Sequence, residues 1–200
     1  MKDAHVMESD AALNAAWVHE FGVQTVEAGM EIRYTIGTSP LGRVLVATTD
    51  KGICAVSLRE ADQELEDSLR DQFPKAKLRR DDSALERTLK AVLARIAGRD
   101  LDDSLPVDLE GTPFQREVWN QLLAIPPGAT RSYLEIARAI NRPKATRAVA
   151  QACGANPVAV VVPCHRVVMS DGSIGGYSGL PGVKKALLAA EGAERFATAP

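Results

Sequence analysis

SYLEIARAINRPKATRAVAQACG, residues 132–154, is the stretch whose reading decides the architecture of the chain. Ser132 followed three residues later by Glu135 is a capping box, in which each side chain satisfies the other residue's free backbone N–H. The spacing predicts a helix over 133–140. Asn141-Arg142-Pro143 then breaks it, because proline lacks an N–H and disfavours helical geometry in the residue before it. A second helix follows over 144–153 and stops at Gly154, a residue suited to a helix end. Helix, short turn, helix is the outline of a DNA-binding motif.

The second helix is unusual for a reader of base sequence. Such a helix offers Arg, Asn or Gln to base edges, whereas Ala145, Thr146, Arg147, Ala148, Val149 and Ala150 are mostly small. Small residues allow close backbone approach, so contact with DNA would run through shape and phosphates with little base specificity. Taken alone, the helix better fits a well-packed bundle helix with Lys144 and Arg147 as solvated charges.

Upstream, Thr112-Pro113-Phe114-Gln115 repeats the capping logic with proline in the first turn, predicting a helix over 113–123 that ends at Pro126-Pro127-Gly128. Before Gly111 the pattern differs. Strands are expected over 33–36, 43–48 and 53–58, separated by Ser39-Pro40-Leu41-Gly42 and Asp50-Lys51-Gly52 turns, which makes an antiparallel meander. Helices are expected over 62–73 and 83–97, the second stopped by Gly98 in left-handed geometry. An acidic link over 100–108 leads to a domain boundary at Gly111. The chain is thus a mixed α/β (α+β) protein. An N-terminal extension, 1–29, carries a short helical pattern over 11–21; an α/β domain covers 30–110 and a mostly helical domain 111–195.

Downstream lies Asn156-Pro157-Val158-Ala159-Val160-Val161-Val162-Pro163-Cys164-His165-Arg166. Its five apolar residues read as a buried strand that Pro163 interrupts, so Cys164 is expected where a strand delivers a side chain into a turn. A cysteine is a nucleophile as thiolate, and a neighbouring imidazole favours that form. Adjacent strand residues point to opposite faces, so His165 serves Cys164 only if the chain turns there or a water bridges them. Glu191, on a helix expected over 183–190 and its end, is a candidate to orient the imidazole. The residues alone also fit Cys164 as a small buried hydrophobe, His165 as a satisfied core residue and Glu191 as a solvated charge. The loop Gly175-Gly176-Tyr177-Ser178-Gly179 fits either a pocket wall or an ordinary surface loop.

Composition narrows the classes. Forty-six percent of the 200 residues are hydrophobic and 25% charged, as in ordinary globular domains rather than disordered chains. No apolar run approaches the roughly 20 residues of a membrane span, and the acidic N-terminus lacks the character of a signal peptide, so a cytoplasmic location without membrane attachment is expected. Three scattered cysteines, Cys54, Cys153 and Cys164, do not make a disulfide framework. The net charge of -2 hides a split: 14 basic and 21 acidic residues precede Gly111, against 10 and 5 from there on. A basic C-terminal half is a modest pointer to a polyanionic partner, although such a split more often reflects two differently solvated surfaces, and charge alone decides nothing.

At Pro163-Cys164-His165-Arg166, Gly111-Thr112-Pro113-Phe114-Gln115, Ser132-Tyr133, Arg147-Ala148-Val149, Asn156-Pro157, Tyr177-Ser178-Gly179 and Glu191-Gly192, the sequence resembles the O6-alkylguanine-DNA alkyltransferase family, also called methylated-DNA-protein-cysteine methyltransferases. The likeness runs from about Arg33 to Gly192 and is shared with the C-terminal half of bacterial Ada. It implies a ribonuclease-H-like fold for 30–110 and an irreversible, single-turnover transfer of an alkyl group from O6-alkylguanine, with O4-alkylthymine as a second substrate, to Cys164. By the same resemblance His165 activates Cys164 through a water, Glu191 holds His165, and Asn156 braces the link between the DNA-binding helices and the cysteine segment. Tyr133 crowds a phosphate and gives a proton to the leaving guanine. Arg147 enters the base stack as the target nucleotide rotates out. Lys144, Ala145, Thr146 and Ala148 flank it on the DNA face. Tyr177, Ser178, Gly179 and the Cys164 and Val167 carbonyls line the pocket.

The implied partner is double-stranded DNA bearing O6-alkylguanine, bound by a monomer with no obligate protein partner and no cofactor. No metal is expected, since Cys54, His5 and His19 do not make a four-ligand set. Three rivals are weaker. An alkyl-damage-binding relative would lack the acceptor cysteine; a helix-turn-helix regulator would carry base-reading side chains. A thiol hydrolase would need an oxyanion hole, to which no motif here corresponds.

Overall fold

The computed structural model describes residues 29–99, 105–177 and 179–193. The helical pattern expected over 11–21, His5 and His19, Ser178 and the first part of the acidic link lie outside these residues.

Three strands, β1 (Glu31–Ser39), β2 (Gly42–Thr48) and β3 (Ile53–Arg59), form the expected antiparallel meander. Helix α1 (Asp62–Gln72) follows, then a fourth strand, β4 (Lys77–Arg80), that sequence reading does not anticipate. It pairs parallel to β1, so the sheet is mixed, in the order β3-β2-β1-β4, rather than purely antiparallel. Lys-Leu-Arg-Arg has no apolar alternation because β4 is an exposed edge, where charge discourages pairing with other chains. Helix α2 (Glu86–Ile96) begins three residues later than the 83–97 pattern suggests. The Asp81 carboxylate accepts from the Ala84 N–H at 3.1 Å and holds residues 81–85 in a turn first.

Strand periodicity sends alternate side chains of β2 to opposite faces. Leu45 and Ala47 join Ile32, Tyr34, Leu65, Leu69 and Phe73 under α1. Val44 and Val46 face the other way, into a cluster containing Val92 and Ile96 of α2 together with Val118, Trp119, Leu122, Ile136, Val149 and Leu187 from beyond Gly111. Both halves of the chain therefore share one core.

The C-terminal half carries α3 (Pro113–Leu123), the two-residue strand β5 (Arg131–Ser132), α4 (Tyr133–Ala139) and α5 (Thr146–Gly154). Beyond these come a 3-10 turn (Cys164–Arg166), β6 (Val167–Val168), parallel to β5, and α6 (Val183–Ala190). Both expected capping boxes form, Thr112 with Gln115 and Ser132 with Glu135. The α4–α5 turn contains Asn141 in left-handed geometry, and Trp119 Nε1 donates to the Ala152 carbonyl at 2.8 Å, tying α3 to α5.

One expectation fails at the centre of the chain. Residues 158–162 are not a strand. Only their start lies along the free edge of β3, where Val56 N donates to Pro157 O at 2.9 Å and Ala159 N to Val56 O at 3.2 Å. Val160 then takes a left-handed conformation, with φ 72, and Val162 N donates back to Val158 O. A β-branched residue there costs on the order of 1–2 kcal/mol. Burial of Val158, Val160, Val161 and Val162 offsets it, so an apolar run that reads as a strand folds as a buried turn.

Candidate active site

The buried turn is locked by Asn156. Its Nδ2 donates to Val162 O at 2.8 Å, and its Oδ1 accepts from Val158 N at 3.0 Å. From the same Nδ2 the Cys164 sulfur stands 3.2 Å away. Asn156 thus joins the end of α5, where its own N–H reaches Cys153 O at 3.3 Å, to the cysteine. The 3-10 turn beginning at Cys164 also departs from strand geometry, which removes the obstacle that opposite faces would pose for Cys164 and His165.

Cys164 is 6% exposed. Burial pushes its thiol above the usual range, while the Asn156 hydrogen bond and the nearby Lys184 charge pull it part of the way back. At rest the sulfur is therefore protonated, and a reaction at sulfur needs a base. His165 is fully buried, and burial lowers its pKa against the opposing pull of Glu191. Its Nε2 lies 2.8 Å from Glu191 Oε1, and its Nδ1 has no hydrogen-bond partner among the described residues.

Glu191 caps α6 and is the most heavily engaged group of the site. Arg166 approaches with both edges of its guanidinium: Nε lies 3.0 Å from Oε2 and Nη2 2.8 Å from Oε1, while Nη1 donates to Ile125 O. Burial raises the carboxyl's pKa, but the hydrogen bonds and charges of His165 and Arg166 outweigh it and hold it down to about 2. An ionised carboxylate only accepts, so His165 Nε2 is the donor in that pair, and a neutral imidazole then has a bare, accepting Nδ1.

Tyr133 is buried at the start of α4, its phenol raised to about 12 by burial and by the neighbouring Cys153 and Cys164. Tyr177 brings its ring to the same centre. Its hydroxyl is buried and close enough to Cys164 for the thiol to act on its ionisation, but the two do not meet in hydrogen-bonding geometry. Gly179 packs under the Tyr177 ring, and Val167 is fully buried in the short β5–β6 pairing. Ser178 lies outside the described residues.

Arg147, Lys144, Ala145, Thr146 and Ala148 are not part of this cluster. They occupy the first turn of α5 and its approach, with Arg147 and Lys144 exposed, while Val149, Ala152 and Cys153 face the core. Ala145 provides no side-chain cap, so the first N–H groups of α5 are left open beside these cations. This face presents positive charge and a small-residue surface outward.

One member of the site, Lys184, escapes the sequence reading, and the role of a second, Arg166, is only partly anticipated. Lys184 is 3% exposed, donates to Gly176 O at 3.3 Å and sits 5.7 Å from the centroid of the Tyr133 ring. A signal existed, since Lys184 shares the helical face of Leu187 and Leu188, where a lysine is out of pattern. Arg166 stands in the Pro163-Cys164-His165-Arg166 motif and is legible as positive charge next to the cysteine, but its pairing with Glu191 joins positions 25 apart and leaves no local trace. Among the described residues no group of three or more His, Cys, Asp or Glu side chains is arranged to hold a metal ion. Cys54 is buried in β3. A cleft of about 380 Å³ between the β2–β3 turn and α2 is lined by Thr48, Lys51, Leu85, Arg87 and Pro106, none of which belongs to the cysteine site.

Two family models match the chain: the ribonuclease-like domain of 6-O-methylguanine DNA methyltransferase over residues 32–109, and the DNA binding domain of the same proteins over 113–193. The bifunctional transcriptional activator/DNA repair enzyme Ada of Escherichia coli is 44% identical over 148 residues, 74% of this chain and 42% of that protein. The chain spans about two fifths of the length of that relative. The methylated-DNA--protein-cysteine methyltransferase of Mycobacterium tuberculosis is 40% identical over 160 residues, 80% of this chain and 92% of that one. The crystal structure of Mycobacterium tuberculosis OGT in complex with DNA superposes with a TM-score of 0.68 at 35% identity, covering 82% of this chain and 94% of its own.

Proposed function

The chain belongs to the 6-O-methylguanine DNA methyltransferase family, and from that premise we propose that it repairs DNA by moving an alkyl group from O6 of guanine to Cys164, once per molecule. The observation that carries the proposal is a buried thiol followed, on the same 3-10 turn, by an imidazole whose Nε2 is held by a carboxylate and whose Nδ1 has no hydrogen-bond partner among the described residues.

In this reading the thiol proton passes through one water to His165 Nδ1, while Nε2 keeps its own proton on Glu191. The sulfur pair becomes the bond to the alkyl carbon as the carbon–O6 bond breaks, and the electrons of that broken bond stay on O6 of the departing guanine. Tyr133, kept protonated by burial, gives the departing base its proton and takes it back from solvent. Lys184 adds positive charge near the developing thiolate. The thioether has no good leaving group, so the protein acts once. Neither a metal nor a redox cofactor enters any step.

A buried thiol cannot reach a base that remains stacked in duplex DNA, so the target nucleotide must rotate out. The α5 face is suited to drawing it out. Arg147 fills the stack, Lys144 and the open helix N-terminus meet phosphates, and Ala145, Thr146 and Ala148 allow close approach. Tyr177, Ser178, Gly179 and the Cys164 and Val167 carbonyls receive the guanine. Double-stranded DNA is the partner, bound by a monomer in the cytoplasm; O4-alkylthymine is a second, lesser substrate. The chain divides into two functional units at Gly111. No helix among the described residues is long and apolar enough to cross a membrane.

A titration tests the stoichiometry. A duplex with one O6-methylguanine, in excess over protein, should be repaired to the extent of one lesion per protein and no further. Continued turnover, or no repair at all, contradicts the proposal.

A further inference from the structure

The site contains a cation that the transfer chemistry does not itself call for. Arg166 is the residue after His165, on the same 3-10 turn, and its guanidinium spans both oxygens of Glu191 while also donating to the Ile125 carbonyl. Glu191 Oε1 is shared between His165 Nε2 and Arg166 Nη2, each at 2.8 Å. A carboxylate serving only to orient an imidazole would need one oxygen; here both are claimed by a planar, bidentate partner. Arg166 is 13% exposed at its side chain and Glu191 6%, so solvent screens the pair weakly.

Resting on the alkyl-transfer reading, we propose that Arg166 is a positioning residue: its fork fixes the Glu191 carboxylate against His165 Nε2 and offsets the carboxylate's charge, so that the imidazole rests neutral with Nδ1 free to take the thiol proton. The electrostatics of the turn support this assignment. An unopposed buried carboxylate at 2.8 Å would favour the imidazolium, which has no lone pair with which to act as base. Among the described residues, the charged groups that act on His165 are Glu191 and Lys184 from α6 and Arg166 from its own turn. Helix α3 packs against the same turn but directs Arg116 to Gly111 O and Glu117 to Arg142, away from it. Arg166 and Lys184 both oppose protonation of His165, and only Arg166 touches the carboxylate that favours it. The guanidinium also ties the segment before Gly128 to the site, whose N–H lies 3.5 Å from Glu191 Oε2.

The test is titration of the His165 imidazole by nitrogen NMR in the full chain, paired with the pH dependence of methyl transfer from an O6-methylguanine duplex. In the wild-type chain His165 should be neutral at pH 7 with the proton on Nε2. In Arg166→Met both the imidazole titration and the acid limb of the rate should move up by about one pH unit, so that transfer on that limb falls about tenfold. Arg166→Lys keeps the charge but not the fork; its limb should stay near the wild-type position while its rate drops across the whole pH range. An Arg166→Met protein that melts like the wild type and keeps the wild-type titration and limb overturns the proposal. Should that variant fail to fold, the wild-type spectrum still decides: a doubly protonated His165 at pH 7 contradicts it. If the wild-type chain transfers no methyl group, the alkyl-transfer reading falls separately, and the imidazole titrations continue to judge Arg166.

Discussion

Asn156 Nδ2 stands 3.2 Å from Cys164 Sγ while the same nitrogen donates to Val162 O, so one side chain both closes the buried turn and touches the nucleophile. Asn156→Ala removes that contact and leaves Val162 O and Val158 N without the side-chain partner they have now. The expected loss is about 2 kcal/mol of stability, two buried hydrogen bonds at roughly 1 kcal/mol each. The thiol also loses the contact that lowers its pKa, so its reaction with a small alkylating reagent should slow relative to wild type at the same pH. Denaturant melts and thiol labelling check the two parts separately. Unchanged labelling in a folded variant would remove Asn156 from the chemistry and leave it a structural brace.

Acid should loosen the molecule from the active site outward. His165 titrates below its ordinary 6.5 in the folded chain and Glu191 falls from 4.5 to about 2. Both folded values are depressed, so the unfolded chain takes up protons that the folded site refuses. The associated stability is complete above about pH 6.5, declines first through His165 and then, between roughly 4.5 and 2, through Glu191. The Glu191 part is on the order of 3 kcal/mol. Denaturation midpoints measured from pH 7 to 3 should fall steadily, and Glu191→Gln should flatten the lower part of the curve.

Gly98 links the N-terminal half to the site. It ends α2 in left-handed geometry, φ 70, and a Cβ built there would run into the Ala190 carbonyl, next to Glu191. Gly98→Ala combines a disfavoured backbone with a clash against main chain, and an expected cost of about 2–4 kcal/mol. Because the displaced group adjoins Glu191, transfer should slow as well as stability fall. A variant with wild-type transfer and melting would mean that the contact relaxes without reaching the site.

Arg147 is exposed and makes no ion pair among the described residues, so its removal should leave the fold intact. Arg147→Ala is expected to shift the melting midpoint little, while slowing repair in duplex DNA about tenfold or more and transfer from the free modified base hardly at all. Equal losses on both substrates would show that Arg147 does not act through the duplex.

How far the sequence could be read depended on whether the signal was local. Capping boxes at Thr112–Gln115 and Ser132–Glu135 are closed within four residues, and both helices start where those pairs place them. The three-stranded meander was legible from alternation and turn residues. Strand β4 was not, because an exposed edge of Lys77-Leu78-Arg79-Arg80 is selected for charge, not burial pattern. Residues 158–162 misled for the opposite reason: continuous burial has no period, and the hydrogen bonds that fold them into a turn come from Asn156 and from β3, the latter far away in sequence. At the site, Cys164, His165 and Glu191 could be nominated by residue type and resemblance, and the structure brings them together with Asn156, Tyr133 and Tyr177. Arg166 could be nominated as a positive charge in the same motif, but not as the partner of Glu191, since that pairing spans 25 residues.

Intact-protein mass spectrometry after incubation with a duplex containing one O6-methylguanine tests the central claim most directly, with Cys164→Ala alongside. The account predicts a gain of a single methyl group, located on Cys164 by peptide mapping and absent from the variant. No gain while the protein binds the lesion tightly, or a gain that survives in Cys164→Ala, would contradict it.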